Sequence, residues 1–261
     1  MKELRLRRIF AKDGRAVIVA CDHAGFMGVV QGLEQPETLI DALVESGVDA
    51  VLTTLGIARR FGSRMGKLGL ILRVDGGATM RSPVQSPLQT IFSIEDACRL
   101  GADAVICMGM IGYPEEPSSL QNLTLLVGEA EKWGMPVVAE MLVRPAEGPC
   151  TAEDLAFAMR VGVELGADVI KASYAGPPQA YRAARRACYR PVVVLGGEKV
   201  NDEGEMLLAI SNALEAGADG VAIGRNVWQH ANPAGVCRAL VALVHGGASV
   251  DQACRVIGAL G

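Results

Sequence analysis

Gly166-Ala167-Asp168-Val169-Ile170-Lys171-Ala172-Ser173-Tyr174 is a short apolar run with a lysine in its middle. Its opening Gly-Ala-Asp and the pair Val169-Ile170 read as the start of a buried strand. An ammonium buried without a partner tends to lose its proton, leaving the neutral amine that attack on a carbonyl requires. The same lysine can instead end the strand and pair with a carboxylate on a neighbouring strand. The stretch by itself leaves both readings open.

Its opening recurs along the chain. Ser46-Gly47-Val48-Asp49, Leu100-Gly101-Ala102-Asp103, Leu165-Gly166-Ala167-Asp168 and Ala216-Gly217-Ala218-Asp219 each lead from a helical pattern into an apolar run. Each glycine can cap the preceding helix in a left-handed conformation. These runs are the even-numbered members of a series expected at 16–23, 49–54, 69–75, 103–108, 136–142, a sixth holding Lys171, 191–195 and 220–223. Helical periodicity separates them, over Pro36–Ser46, from about Ser93 to Leu100, and near Ser118–Trp133, Thr151–Leu165, Pro178–Cys188 and Asp202–Ala216. Between the second and third strands stands the basic segment Ala58 to Lys67, and helices near Asn232–His245 and Ser249–Leu260 close the chain. Eight strands alternating with helices predict an α/β fold, a parallel (β/α)8 TIM barrel in one domain over residues 1–261, with a short N-terminal arm and an extra C-terminal helix. An open dinucleotide-binding sheet would need Gly-x-Gly-x-x-Gly after the first strand, and none is present.

Composition agrees with this. The chain has 261 residues, 50% hydrophobic but only 4% aromatic, so its core must be aliphatic, as parallel strands buried on both faces require. A net charge of −4 gives no support to nucleic-acid binding, and Arg5, Arg7 and Arg8 are too few to change that; they read as a solvated arm or a subunit contact. No apolar run approaches the ~18 residues that span a bilayer, and MKELRLRRIF lacks a signal peptide's apolar core, so a cytoplasmic protein without membrane contact is expected. Seven cysteines without a Cys-x-x-Cys pair argue for reduced thiols, with Cys21 and Cys107 as core residues. Three dispersed histidines, His23, His230 and His245, offer no metal-ligand spacing, so neither metal nor cofactor is expected.

A barrel of this kind works at the carboxyl ends of its strands. Read in order, those ends carry Asp22 and His23, Thr53 and Thr54, Arg73 and Asp75, little from the fourth strand, Glu140, then Lys171, Ser173 and Tyr174, Gly196, Gly197 and Lys199, and finally Gly224, Arg225 and Asn226. Asp22 ends an otherwise apolar strand, where a carboxylate is suited to proton transfer beside an imine-forming lysine. His23 is expected to orient Asp22 or line the pocket. The glycine pair in Leu195-Gly196-Gly197-Glu198-Lys199 and the turn Ile223-Gly224-Arg225-Asn226, which runs into a short helical segment to His230, predict a phosphate site after the last two strands. The long loop Gly76–Ser86 is expected to help select the substrate.

Cys21-Asp22-His23-Ala24, Val169-Ile170-Lys171-Ala172-Ser173-Tyr174, the Leu195–Lys199 loop and Gly220–Gln229 resemble, in order and spacing, the archaeal-type class I fructose-bisphosphate aldolases of the DhnA/DeoC/LacD group. The resemblance covers essentially the whole chain. It implies a metal-independent aldehyde-lyase in which Lys171 forms a Schiff base with a phosphorylated ketose, Asp22 is the acid/base, and Gly196, Gly197, Lys199, Gly224 and Arg225 hold the phosphate. It also implies a homo-oligomer, a pentamer or decamer. The family's tyrosine at the end of strand five falls at Leu142 in this chain, and Glu140 or Tyr174 is expected to take over its proton transfer. An LsrF-like thiolase, a transaldolase-type synthase, a sugar-phosphate isomerase with Asp22 as base, and a phosphate-binding protein without turnover are the competing readings.

Overall fold

The computed structural model describes residues 1–82 and 87–258. Eight parallel strands close into a barrel: β1 (Ala16–Ala20), β2 (Ala50–Thr53), β3 (Gly69–Arg73), β4 (Ala104–Ile111), β5 (Val137–Val143), β6 (Val169–Ala172), β7 (Val192–Leu195) and β8 (Gly220–Ile223). Each pairs with its sequence neighbours, and β8 pairs with β1, so the expected (β/α)8 architecture is what the chain forms. The helices on the outside are α1 (Lys2–Leu6), α2 (Ala24–Met27), α3 (Pro36–Ser46), α4 (Leu55–Phe61), α5 (Ile94–Arg99), α6 (Glu116–Trp133), α7 (Ala152–Glu164), α8 (Pro178–Arg186), α9 (Glu203–Glu215), α10 (Arg225–Trp228), α11 (Pro233–Val244) and α12 (Val250–Gly258).

Side chains on the strands alternate between two apolar layers. Ile18, Leu52, Ile71, Ile106, Val138, Val169 and Val193 fill the barrel interior, while Val17, Val51, Leu72, Val105, Ile170 and Val194 face the helices. The interior is a solid plug, and the inward row continues past it to the carboxyl ends.

The repeated Gly-x-Asp openings have a structural purpose. Gly47, Gly101, Gly166 and Gly217 adopt positive φ of 75°, 71°, 96° and 103°, turning each helix end toward the next strand. The aspartates then accept from the backbone N–H at the head of the preceding odd strand: Asp49 from Val17 at 2.7 Å, Asp103 from Leu70 at 2.9 Å, Asp168 from Val137 at 3.0 Å and Asp219 from Val192 at 2.8 Å. Each also holds a basic partner, His245, Arg8, Lys2 and Arg185 respectively.

Several expectations need correction. The N-terminal arm is only partly solvated: Arg7 and Arg8 are exposed, but Leu6, Ile9 and Phe10 pack on the inner core, Arg5 donates to the Ala102 carbonyl at 2.7 Å, and Arg8 meets Asp103 at 2.9 Å. An amphipathic arm closes the barrel's floor because the plug is otherwise open to water there. The fourth strand continues to Ile111, beyond the expected Met108. The first ends at Ala20, and Asp22 and His23 belong to the turn that opens α2. In the Gly76–Ser86 loop, Asp75–Gly76 pairs antiparallel with Gln89–Thr90; residues 83–86 lie outside the described residues, as does the expected helix end at Leu260.

Candidate active site

Strand register sets the site. Glu140 on β5 is the pairing partner of Lys171 on β6, and both extend the inward rows begun by Val138 and Val169. Arg73 stands two residues beyond the inward Ile71 on β3 and Asp22 two beyond Ala20, so all four side chains converge above the plug. Lys171 Nζ lies 2.5 Å from Glu140 Oε1. Arg73 contacts three carboxylates: Nε donates to Asp22 Oδ2 at 2.8 Å, Nη1 to Asp75 Oδ1 at 3.1 Å, and Nη2 to Glu140 Oε2. Asp75 also accepts from the Met108 N–H at 2.8 Å.

These groups are all buried. Burial alone would raise the Asp22 carboxyl, yet the Arg73 guanidinium beside it, with help from Lys171, holds it well below the usual carboxylate range. Glu140 is likewise lowered, because Lys171 and Arg73 outweigh its burial. Asp75 goes the other way: its burial exceeds what Arg73 gives back, and it is raised. Arg73 and Lys171 therefore face two carboxyls that are held low and a third, Asp75, that is readier to keep its proton. Lys171 is thus not an unpartnered lysine. Lys171 has the neighbouring-strand carboxylate of the second sequence reading, and it also lines a cavity of about 400 Å³.

Across that cavity stand His23, Gly196, Gly197, Gly224 and Arg225, with Leu142 beside Glu140. Gly197 has φ +63°, and a side chain on Gly224 would meet the Ala20 carbonyl at 2.8 Å and His23 Cε1 at 2.9 Å. Asn226 ties the two glycine loops together, donating to the Gly196 and Glu198 carbonyls at 2.9 and 3.0 Å and accepting from Val200 N–H at 2.9 Å. His23 Nδ1 lies 3.4 Å from Asp22 Oδ1, and its ring packs edge-on against Trp228, whose indole N–H donates to the Ala20 carbonyl at 3.0 Å.

Three expected site residues do not line this cavity; Asp22 stays beside it in the ion network. Tyr174 does not line the cavity. The alternation that turns Lys171 inward turns residue 174 outward, and its ring packs against Tyr181 of α8 with centroids 4.9 Å apart. Lys199 is exposed, its Nζ donating to the Gln229 carbonyl at 2.8 Å, so it braces the loop from outside. Arg73, Asp75 and Asn226 were visible at the strand ends but not singled out. Arg73 and Asp75 carry the same signal as Lys171, a charge at the end of an apolar buried strand, whereas Asn226, uncharged and in α10, carries none. Strand four also contributes to this cavity, through Met108. His230 pairs with Glu203 at 2.5 Å and His245 lies between Asp13 and Asp49, both away from the cavity.

A closed parallel barrel with a lysine–carboxylate pair at its open mouth defines a class of enzymes that handle carbonyl substrates. The chain matches the DeoC/LacD family aldolase model over residues 16–230, and it belongs to that family. It is 36% identical over 253 residues to the 2-amino-3,7-dideoxy-D-threo-hept-6-ulosonate synthase of Halobacterium salinarum, covering 97% of this chain and 94% of that one. It is 32% identical to the class 1 fructose-bisphosphate aldolase of Thermoproteus tenax, over 95% of this chain and 97% of the other. Among solved structures, an archaeal fructose-1,6-bisphosphate aldolase whose catalytic lysine is covalently bound to the carbinolamine intermediate superposes with a TM-score of 0.85, at 31% identity over 94% of this chain and 99% of that one.

Proposed function

We propose that the protein is a class I aldolase that makes or breaks a C–C bond in a sugar phosphate through a Schiff base on Lys171. The observation that carries this reading is the position of Lys171, buried in a strand yet on the wall of the cavity that faces the Gly196–Gly197 and Gly224–Arg225 loops. Those loops, with Arg225 half-buried between them, suit the phosphate. The Lys171 amine, after giving up its proton, adds to the ketone carbonyl; loss of water leaves an iminium, which takes up the electron pair as the adjacent C–C bond breaks. Glu140, ionised and in contact with Nζ, is the group to receive the proton of the substrate hydroxyl as that bond breaks. Asp22, on the far side of Arg73, is suited to the carbinolamine steps. Leu142 beside them has no proton to offer, and Tyr174 faces away from the cavity.

No metal or cofactor enters this scheme. The space among Asp22, Asp75 and Glu140 is filled by the Arg73 guanidinium, which uses their oxygens. A homo-oligomer is part of the proposal, supported by the exposed apolar side chains Leu125 on α6, Phe157 on α7 and Tyr189 after α8. So is a cytoplasmic location, supported by seven free cysteines; no helix among the described residues is long and apolar enough to cross a membrane. A coupled assay of triose phosphate release from ketose phosphates tests the chemistry. Wild type should keep its rate in excess chelator, and Lys171→Met should lose at least ~10³-fold in kcat. A rate lost to the chelator, or retained by Lys171→Met, contradicts the scheme.

A further inference from the structure

A second cavity opens beside the first, and nothing above assigns it. It measures about 440 Å³ and lies over the carboxyl ends of β1–β4, with Asp22, Arg73 and Asp75 among its polar lining. Most of its wall is apolar: Phe26, Leu55, Met80, Ile91, Phe92 and Met108. Phe26, Met80 and Met108 also wall the Lys171 cavity, so the two spaces share a partition. The ionic chain Lys171–Glu140–Arg73–Asp22 runs from one to the other.

The charges on this second wall are wrong for a phosphate. Among the described residues Arg73 is the one lysine or arginine that lines it, and its three guanidinium nitrogens are already engaged by carboxylates. Asp22, Asp75 and Glu115 are the other titratable groups there. A phosphate entering would lose its hydration, find no free cation and face acidic groups, whereas a hydrocarbon chain would exchange water for aromatic and aliphatic surface.

We infer that this cavity receives the carbon chain of the aldehyde half of the substrate, and that it selects an uncharged, apolar chain over a phosphorylated one. The inference rests on the aldolase reading: with one phosphate anchored at the Gly196–Arg225 side and the carbonyl carbon on Lys171, the far end of the ketose extends across the partition into the apolar space. The enzyme is then a ketose monophosphate aldolase, and the 1,6-bisphosphate is a poor substrate. In the addition direction, the enamine carbon of lysine-bound dihydroxyacetone phosphate bonds to the aldehyde carbon, the aldehyde oxygen takes a proton, and water releases the product from Lys171.

The test measures kcat/KM for addition of dihydroxyacetone phosphate to propanal, butanal, pentanal, hexanal and glyceraldehyde 3-phosphate, alongside borohydride trapping of dihydroxyacetone phosphate alone. Each methylene buried is expected to raise kcat/KM about fourfold, and hexanal should exceed glyceraldehyde 3-phosphate by at least ~10-fold. Ile91 is nearly half exposed at the rim, so Ile91→Arg should fold, trap dihydroxyacetone phosphate as wild type does, and shift the preference toward glyceraldehyde 3-phosphate. A wild-type enzyme that forms the adduct yet prefers glyceraldehyde 3-phosphate, or shows no chain-length trend, overturns the inference alone. Absence of any adduct overturns the aldolase reading and the inference with it.

Discussion

Glu140 is the residue on which the chemistry turns after Lys171. Its carboxyl is held low by Lys171 and Arg73, its Oε1 lies against the Lys171 nitrogen, and it stands two residues before Leu142. Glu140→Gln keeps the shape and the strand pairing but removes the proton acceptor. Its kcat should fall by ~10²-fold or more with KM changed by no more than a few-fold, as steady-state kinetics on the preferred ketose phosphate would measure; unchanged turnover would remove Glu140 from the mechanism. At this scale the sequence was partly legible. Lys171, Asp22 and Glu140 stood out because a charge in an apolar strand needs a reason. Arg73 met the same criterion, but its role as the hub of three carboxylates depends on register between non-adjacent strands, which no local pattern reveals. Tyr174, three residues after Lys171, packs against Tyr181 instead of lining the cavity, a difference that sequence proximity alone does not reveal.

The Gly-x-Asp junctions act at the level of whole elements. The sequence repeat identified them as architecture; that each aspartate staples the head of the preceding strand emerged from the packing. One junction also carries a pH dependence. The His245 ring, at the end of α11, is gripped by Asp13 at 2.8 Å and Asp49 at 2.9 Å. Burial disfavours its charged form, but the two carboxylates outweigh burial and raise it above the ordinary value of 6.5. A group raised on folding stabilises fully below its unfolded value, and that contribution is lost as pH rises through the folded one. Wild type should therefore exceed His245→Gln in urea midpoint by most near pH 6, with the gap narrowing as pH rises above 6.5. A gap that widens with pH would show that the ring acts only as a neutral hydrogen-bonding group.

At the scale of the molecule, barrel closure was legible because eight apolar runs alternate with helical periodicity over a length that suits one (β/α)8 unit. The N-terminal arm was not. Leu6, Ile9 and Phe10 look like an exposed amphipathic start until the floor of the barrel exists for them to cover. The arm, the plug and the four stapled junctions hold one end of the barrel shut, and the ion network with its two cavities is left at the other. Loops there are free to vary the substrate while the strands hold the chemistry in place.

The central claim is that the Lys171 amine reaches a substrate carbonyl. Borohydride reduction in the presence of dihydroxyacetone phosphate, followed by peptide mass spectrometry, tests it directly. The account predicts a stable adduct of one substrate molecule per chain on Lys171, abolished in Lys171→Met. No adduct, or one carried by another lysine, would contradict it.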